Sequence, residues 1–128
     1  MNRRDLALLF ALALLTRIAA ALLVDYAPYT DPAYYRLVAE QLAAGHGFSV
    51  PVVWSFLEVG GRLPLHPMLP VPSNGHWMPL TSIVAAGSIS LFGDLLGSWR
   101  AAELPSILLG AALVPFTYLI ATATAPSR

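Results

Sequence analysis

The stretch Tyr29-Thr30-Asp31-Pro32-Ala33-Tyr34-Tyr35-Arg36 carries most of the side chains in this sequence that can do chemistry. It follows a long apolar run, so we expect its polar groups at a boundary between lipid and water. There, Asp31 can act as a general base that takes a proton from an acceptor hydroxyl. It can also serve only as the N-cap of a helix. The sequence leaves both roles open.

Arg17 lies inside the apolar run, slightly past its middle. A charge at that depth costs about 2.5–3.5 kcal/mol on insertion scales, so we expect it to face a cavity, a partner helix or a polar headgroup. The phosphate of a lipid carrier would satisfy it. The alternative is a side chain that extends outward to the interface.

Three further residues are candidates for substrate binding. Tyr34 and Tyr35 can stack on a sugar ring or line a lipid groove, and His76 can bind a phosphate. Interfacial anchoring explains the same aromatic residues without any substrate, and a lone His is often only an interfacial polar group. His46 and His66 are not at metal-ligand spacing with His76, so the sequence predicts no metal site.

The composition indicates an integral membrane protein. Of the 128 residues, 57% are hydrophobic and 11% are charged, whereas a soluble domain has about 25% charged residues. Seven basic and seven acidic residues give a net charge of zero, and no basic stripe is available for nucleic acid. With no cysteine in the chain, disulfides and thiolate metal sites are excluded.

The elements that must position these residues form an all-α membrane protein, organised as a single module over residues 1–128. Spans of about 20 apolar residues are predicted at about 6–24, 79–96 and 102–123. Arg3 and Arg4 favour a cytoplasmic N-terminus. The loop 25–78 is then outside, and Arg100 lies in an inner turn. The first run also fits a signal peptide, but it exceeds the usual 7–15 apolar residues, which favours an uncleaved anchor.

Within the outer loop, residues 32–44 are predicted to form an amphipathic helix on the membrane surface. Asp31 can cap this helix, Pro32 suits its first position and Gly45 suits the residue past its end. A strand pair turning at Gly60-Gly61 is predicted farther along the loop. Small residues in the last two spans predict close helix packing, namely Ser82, Ala86, Ser90, Ser106 and Gly110.

The order of these features resembles the N-terminal part of the type C glycosyltransferase superfamily, the membrane enzymes that include protein O-mannosyltransferases and lipid A aminoarabinose transferases. The resemblance covers nearly the whole chain and rests on the order and spacing of its motifs. These are Arg17 in the first span, Asp31-Pro32-Ala33-Tyr34-Tyr35, Ala44-Gly45-His46-Gly47-Phe48, His76-Trp77-Met78-Pro79-Leu80, and Leu91-Phe92-Gly93 to Trp99-Arg100-Ala101-Ala102 with Pro105.

This resemblance implies roles for individual residues. Asp31 matches the catalytic carboxylate of the first outer loop, and the donor would be a sugar on a polyprenyl phosphate. Arg17 and His76 match positions near the carrier phosphate. Family members often carry a second acid where this chain has Pro32 and Ala33, so we predict no cofactor, and a divalent metal has no support in the sequence.

The resemblance also implies further spans beyond the three predicted here, and it implies binding partners. Family members have many more spans, so we expect a fragment with the first three, inactive by itself, in the plasma (inner) membrane. Its partners would be membrane lipid, the lipid-linked donor and the rest of the enzyme. The alternative from another functional class is a small non-catalytic three-span protein that assembles with a larger membrane partner.

Overall fold

The structure is a computed structural model that describes residues 2–24, 30–53, 65–66, 68–73 and 78–124. The described chain is mostly helical. In order, its elements are α1 (Arg3–Leu22), α2 (Thr30–Ala43), β1 (Ser49–Val50), β2 (Val71–Pro72) and α3 (Pro79–Thr124). Two of these helices, α1 and α3, are long and apolar enough to cross a membrane.

The helix α1 begins where the sequence supplies a cap. The side chain of Asn2 accepts a hydrogen bond from the backbone N–H of Arg4 at 3.2 Å, and Asp5 lies in the first turn. An acidic side chain there complements the positive end of the helix dipole. No residue of α1 is buried, which is expected of an apolar helix whose surroundings are lipid or another chain.

The helix α3 is interrupted at Gly97, whose φ of 77° and ψ of 155° are not helical. The break separates residues 79–96, here named α3a, from residues 98–124, named α3b. The predicted second span has the same bounds as α3a, and the third lies within α3b. The described residues thus contain two candidate spans, and the prediction of three crossings is not confirmed.

The start of α2 differs from the prediction. The helix begins at Thr30, so Asp31 lies within its first turn and is not the N-cap, and Pro32 is its third residue. Pro32 is tolerated there because the first four N–H groups of a helix have no intrahelical partner. The carboxylate of Asp31 still lies near the positive end of the helix dipole.

The end of α2 confirms the stop signal at Gly45. This glycine has a φ of 79°, in the left-handed region that other residues adopt only with strain. Its N–H donates to the carbonyl of Leu42 at 3.0 Å, and the N–H of His46 donates to the carbonyl of Gln41 at 2.9 Å. This pair of bonds is a Schellman motif, which satisfies carbonyls at the helix end.

The two short strands join the ends of residues 51–70, and the sequence analysis did not predict either of them. They pair antiparallel, with Ser49 opposite Pro72 and Val50 opposite Val71. Val50 is fully buried and forms a small core with Tyr34 and Val38 of α2. The predicted strand pair at Gly60-Gly61 lies outside the described residues.

A second packed face of α2 lies against α3a. Ala39 is buried together with Ala85 and Ala86, and the Ser82 hydroxyl donates to the carbonyl of Tyr35 at 3.2 Å. The location of this helix on a membrane surface stays a prediction, and the structure adds that α3a covers one of its faces. The small residues predicted to allow close packing at Ser82 and Ala86 are both buried.

The chain divides into two compact units. The first, named the two-helix unit, consists of Met1–Asp25 and Glu103–Arg128. The second, named the α2 unit, consists of Tyr26–Ala102 and holds α2, both strands and α3a. Within the α2 unit, the hydroxyl of Ser88 donates to the carbonyl of Ala101 at 2.6 Å, which ties α3a to the residues after Gly97.

Candidate functional site

The guanidinium of Arg17 lies directly against Gly110 within the two-helix unit. A Cβ atom built on Gly110 would lie 2.5 Å from Nη1 and 2.8 Å from Nε of Arg17. Only a glycine leaves room for the guanidinium at this place, since real Cβ atoms do not approach other heavy atoms so closely. The sequence predicted close packing at Gly110, and the structure shows that a charged side chain uses the space.

The contact is near the middle of α3b. Gly110 lies 13 residues after Gly97 and 14 residues before Thr124, which is about 20 Å from each end at a rise of 1.5 Å per residue. Both Gly110 and Ala111 are buried. The guanidinium is therefore held beside the middle of α3b, within a helix long and apolar enough to cross a membrane, which favours the interpretation that Arg17 faces another helix over extension to the interface.

Two open grooves meet at Arg17. One, of about 410 Å³, is lined by Leu9, Leu12, Ala13, Thr16, Arg17 and Val114. The other, of about 320 Å³, is lined by Arg17, Gly110, Leu113, Val114, Thr117, Tyr118 and Ala121. Apart from Arg17 and three hydroxyl-bearing residues, their walls are apolar. A ligand that fits here is an anion with apolar substituents.

The hydroxyls near Arg17 do not neutralise it. Thr16 donates to the carbonyl of Leu12 and Thr117 to that of Leu113, each at 2.8 Å. Among the residues that the structure describes, Arg17 has no salt bridge. Because a lone cation in an apolar setting is unfavourable, a negative charge beside Arg17 would be favoured.

The side chain of Asp31 is exposed in the first turn of α2. An exposed carboxylate is accessible to a substrate hydroxyl, as a general base must be. In the first turn, Asp31 is not the N-cap residue, and its role as a general base stays a prediction.

The two tyrosines differ in accessibility. Tyr34 is only 4% exposed and belongs to the core with Val38 and Val50, so its ring is not available to stack on a sugar. Tyr35 is half-buried and accepts the Ser82 hydrogen bond on its backbone carbonyl. His76 lies outside the described residues.

The predicted site residues fall in separate parts of the fold. Arg17 belongs to the two-helix unit, whereas Asp31, Tyr34 and Tyr35 belong to the α2 unit. No group of three His, Cys, Asp or Glu side chains that could hold a metal ion occurs within the described ranges.

The comparisons with known proteins found no similar protein. No protein-family model matches the sequence, and neither the curated proteins nor the solved structures contain a match.

A polar cluster that the sequence analysis missed lies between α2 and the break at Gly97. One oxygen of Glu40 accepts a hydrogen bond from Nη1 of Arg36 and another from the Ser98 hydroxyl, both at 2.5 Å. The Arg36 guanidinium also lies 5.8 Å from the centre of the Trp99 ring. Only the i, i+4 spacing of Arg36 and Glu40 was visible in the sequence.

This cluster contains two buried donors without an acceptor. Nε of Arg36 and Nε1 of Trp99 are both buried and make no hydrogen bond. Buried donors of this kind are uncommon, because each loses its hydration without replacement. The cluster therefore joins α2 to α3 through a few strong bonds while leaving other polar groups unsatisfied.

Proposed function

We propose that this chain is the N-terminal membrane module of a glycosyltransferase that moves a sugar from a polyprenyl-phosphate carrier to an acceptor hydroxyl. The observation that carries the proposal is the guanidinium of Arg17, which lies beside the middle of α3b with no salt bridge among the described residues. The module is integral to the plasma (inner) membrane, with its N-terminus cytoplasmic and the loop 25–78 outside.

The chemistry of the carrier fits the surroundings of Arg17. A polyprenyl phosphate joins an anion to a long apolar chain, and a guanidinium binds phosphate oxygens with two parallel hydrogen bonds. The apolar grooves on either side of Arg17 suit the isoprenoid units next to the phosphate. Arg17 would also stabilise the negative charge that develops on the leaving phosphate.

In the proposed reaction, Asp31 takes part in one proton transfer. Its carboxylate accepts the proton of the acceptor hydroxyl as the hydroxyl oxygen attacks the anomeric carbon of the sugar. A new bond forms between that carbon and the acceptor oxygen. The bond between the anomeric carbon and the phosphate oxygen breaks, and the carrier phosphate leaves with the electron pair. Tyr35 and His76 are the remaining candidates for contacts with the sugar or the phosphate.

Binding of the carrier tests the role of Arg17. We expect Arg17→Gln to weaken binding of an unglycosylated polyprenyl phosphate to the chain in neutral-lipid nanodiscs by about tenfold or more, since a charge-assisted hydrogen bond contributes about 1.5–3 kcal/mol. Arg3→Gln, which removes an exposed arginine at the start of α1, is the matched control. Unchanged affinity in Arg17→Gln would refute the assignment.

Gly110 provides a second variant for the same assay. We expect Gly110→Ala to weaken carrier binding, because the new methyl group occupies the place of the guanidinium and displaces it from between the grooves. Gly93→Ala is its control, since a Cβ there meets Ile89 only at an ordinary 3.4 Å. Equal losses in both glycine variants would point to a general loss of helix packing.

Sugar transfer by the complete enzyme tests Asp31. Loss of a general base typically lowers the rate by about 10²–10⁴-fold, so Asp31→Asn should lower the transfer of labelled sugar from the lipid donor by that factor. Asp94→Asn is the control, because Asp94 is also exposed and has no assigned role. Full activity of Asp31→Asn would show that another group accepts the proton.

One observation favours the alternative of a non-catalytic protein that assembles with a larger membrane partner. The whole of α1 is without a buried residue, so it has surface to offer to another helix. A carboxylate on that helix would then neutralise Arg17. In this case Arg17→Gln would weaken co-purification with the partner and leave carrier binding unchanged.

A further inference from the structure

The two grooves at Arg17 lie within the two-helix unit, and each follows one of its helices. The first is lined by α1 residues between Leu9 and Arg17, together with Val114 of α3b. The second is lined by α3b residues between Gly110 and Ala121, together with Arg17 of α1. Arg17 and Val114 are therefore common to both grooves, and the guanidinium is the charged group that the two grooves share.

Both grooves extend from Arg17 in the same direction. Arg17 lies against Gly110, whereas residues that precede Arg17 in α1 share a groove with Val114, which follows Gly110 in α3b. The two helices are therefore antiparallel at this contact. The first groove runs back along α1 toward Arg3 and the second runs along α3b toward Thr124, so both lead to the same end of the helix pair.

The length of each groove matches one leaflet of a bilayer. Positions 9 to 17 and 110 to 121 line the two grooves, and they span about 12 Å and about 16 Å at 1.5 Å per residue. The hydrocarbon core is about 30 Å thick, so one leaflet is about 15 Å. Arg17 also lies nearer to Leu22 than to Arg3, the two ends of α1. An anion held at Arg17 would thus belong to one leaflet, with both grooves leading inward from it.

A ligand that matches this arrangement has one anionic group and two apolar chains. A diacyl phospholipid with a net negative charge has that form, whereas a polyprenyl phosphate brings a single chain. The phosphate binds a guanidinium through paired hydrogen bonds, and each acyl chain covers one groove. Charge selects this lipid over a zwitterionic one, because Arg17 has no salt bridge within the part of the chain that the structure describes.

We propose that, when no carrier is bound, an anionic diacyl phospholipid occupies this site, with its phosphate at Arg17 and one acyl chain in each groove. The phospholipid competes with the carrier, because both place a phosphate on the same guanidinium. Binding of the carrier then depends on how much anionic phospholipid the membrane contains. This regulation rests on the proposed function, since it requires the carrier to bind at Arg17, whereas the phospholipid site itself does not.

A series of four ligands tests the site on the full chain in a non-ionic detergent, with binding measured by native mass spectrometry. The ligands are diacyl phosphatidylglycerol, its single-chain lyso form, diacyl phosphatidylcholine and glycerol 3-phosphate. We expect the first to bind about tenfold more tightly than each of the others, because it combines a net negative charge with two chains. Binding of any of the other three at the same affinity would overturn the proposal.

Variants of Arg17 test the charge. Arg17→Gln should lower the affinity for phosphatidylglycerol to that for phosphatidylcholine, and Arg17→Lys, which keeps the charge, should bind more tightly than Arg17→Gln. Far-ultraviolet circular dichroism checks that both variants stay helical. Wild-type affinity in a helical Arg17→Gln would show that the lipid does not bind at this residue.

Larger side chains in the grooves test the position of each acyl chain. Ala13→Phe fills the first groove and Ala121→Phe fills the second. Each should lower diacyl binding about tenfold, to the level of the lyso form, and leave lyso binding unchanged because one groove stays open. Ala11→Phe and Ala123→Phe are the controls, since both positions are exposed and line neither groove. Equal losses in the controls would refute the placement of the chains.

Competition with the carrier tests the regulation. In nanodiscs that contain phosphatidylglycerol at ten times its dissociation constant, the apparent affinity for an unglycosylated polyprenyl phosphate should be about tenfold lower than in phosphatidylcholine alone. Arg17→Gln should show no such dependence on the lipid. The same fall in Arg17→Gln would show a general effect of membrane charge and would overturn the competition.

The outcomes for the phospholipid and for the carrier are separable. Arg17-dependent binding of phosphatidylglycerol without any binding of the carrier would refute the proposed function and leave the phospholipid site in place. Arg17-dependent binding of the carrier without a preference for the two-chain anionic lipid would refute this inference and leave the proposed function in place.

Discussion

Arg36 and Arg17 each place a charged guanidinium among apolar residues, where an unpaired charge is unfavourable. The two differ in their partners. Arg36 is paired with Glu40 in the same helix and lies near the ring of Trp99. Arg17 lies against the backbone of Gly110, in grooves that are mostly apolar, and has no salt bridge among the described residues. Arg36 therefore connects α2 to the start of α3b, whereas Arg17 is the arginine to which the proposed function assigns a phosphate.

Gly45 is the residue at which backbone conformation matters most for α2. Replacement by Ala places a side chain at a φ of 79°, which costs about 1–2 kcal/mol in the left-handed region. We expect Gly45→Ala to lower the free energy of unfolding by that amount, measured by far-ultraviolet circular dichroism in detergent.

Gly87→Ala is the matched control for this prediction. Gly87 is exposed in the middle of α3a, and a Cβ there meets nothing within 4 Å. Because Ala is a better helix former than Gly, this variant should be equal to the wild type or slightly more stable. A Gly45→Ala variant as stable as Gly87→Ala would contradict the Schellman motif.

Predictions for single residues were confirmed where the conformation depends on neighbouring residues alone. Gly45 was identified because few residues suit the position after a helix. The roles of Tyr34 and Tyr35 were not separable, since adjacent residues differ by 100° around a helix and either can be the buried one. From the sequence, a partner helix was one possible neighbour of Arg17, but Gly110 could not be identified, because that contact depends on tertiary packing.

At the scale of elements, the connection between α2 and α3 depends on Glu40. Its carboxylate reaches Ser98 across 58 positions of sequence and lies at the start of α3b, where free backbone N–H groups favour a negative charge. The same oxygen accepts from Arg36. Glu40 thus fixes the place where the chain turns at Gly97.

A double-mutant cycle measures this connection. We expect a coupling of about 1 kcal/mol between Glu40→Gln and Ser98→Ala, because the hydrogen bond is charge-assisted but half exposed. The readout is the free energy of unfolding in detergent. A control cycle of Glu40→Gln with Ser90→Ala, at an exposed position of α3a, should show additive effects. Additivity in both cycles would refute the connection.

The elements themselves were largely predictable. The bounds of α3a and the position of α2 followed from apolar length, Pro32 and Gly45. The association of α2 with α3a did not, because neither helix carries a local signal for its neighbour. The contact between Glu40 and Ser98 has no local signal in the sequence either, because it joins residues 58 positions apart.

At the scale of the whole molecule, the two compact units are stabilised by different interactions. The two-helix unit has mostly exposed apolar side chains and depends on lipid or a partner. The α2 unit has its own small cores around Val38 and Ala39. Hydropathy predicted the helices of the first unit, but the cores of the second arise from contacts between residues far apart in sequence.

The strand pair makes one further experiment possible at this scale. Ser49–Val50 and Val71–Pro72 hold together the ends of residues 51–70. A flexible insertion that doubles the length of this segment, placed between Gly60 and Gly61, should cost only about 0.6 kcal/mol, because loop-closure entropy grows slowly with length. The measurement is the free energy of unfolding.

The same insertion between Ala86 and Gly87 is the control for position. It interrupts α3a beside the buried contact with α2, so we expect it to abolish the packing of the α2 unit. If both insertions lowered the free energy of unfolding equally, the strand pair would not keep the rest of the α2 unit in place when the segment between its strands changes length.

The pairing of β1 with β2 has an evolutionary consequence. Because β1 and β2 fix only the ends of residues 51–70, natural selection can lengthen, shorten or rewrite the intervening sequence with little effect on α2 or α3a. In related sequences we expect changes of length to concentrate between Pro51 and Pro70.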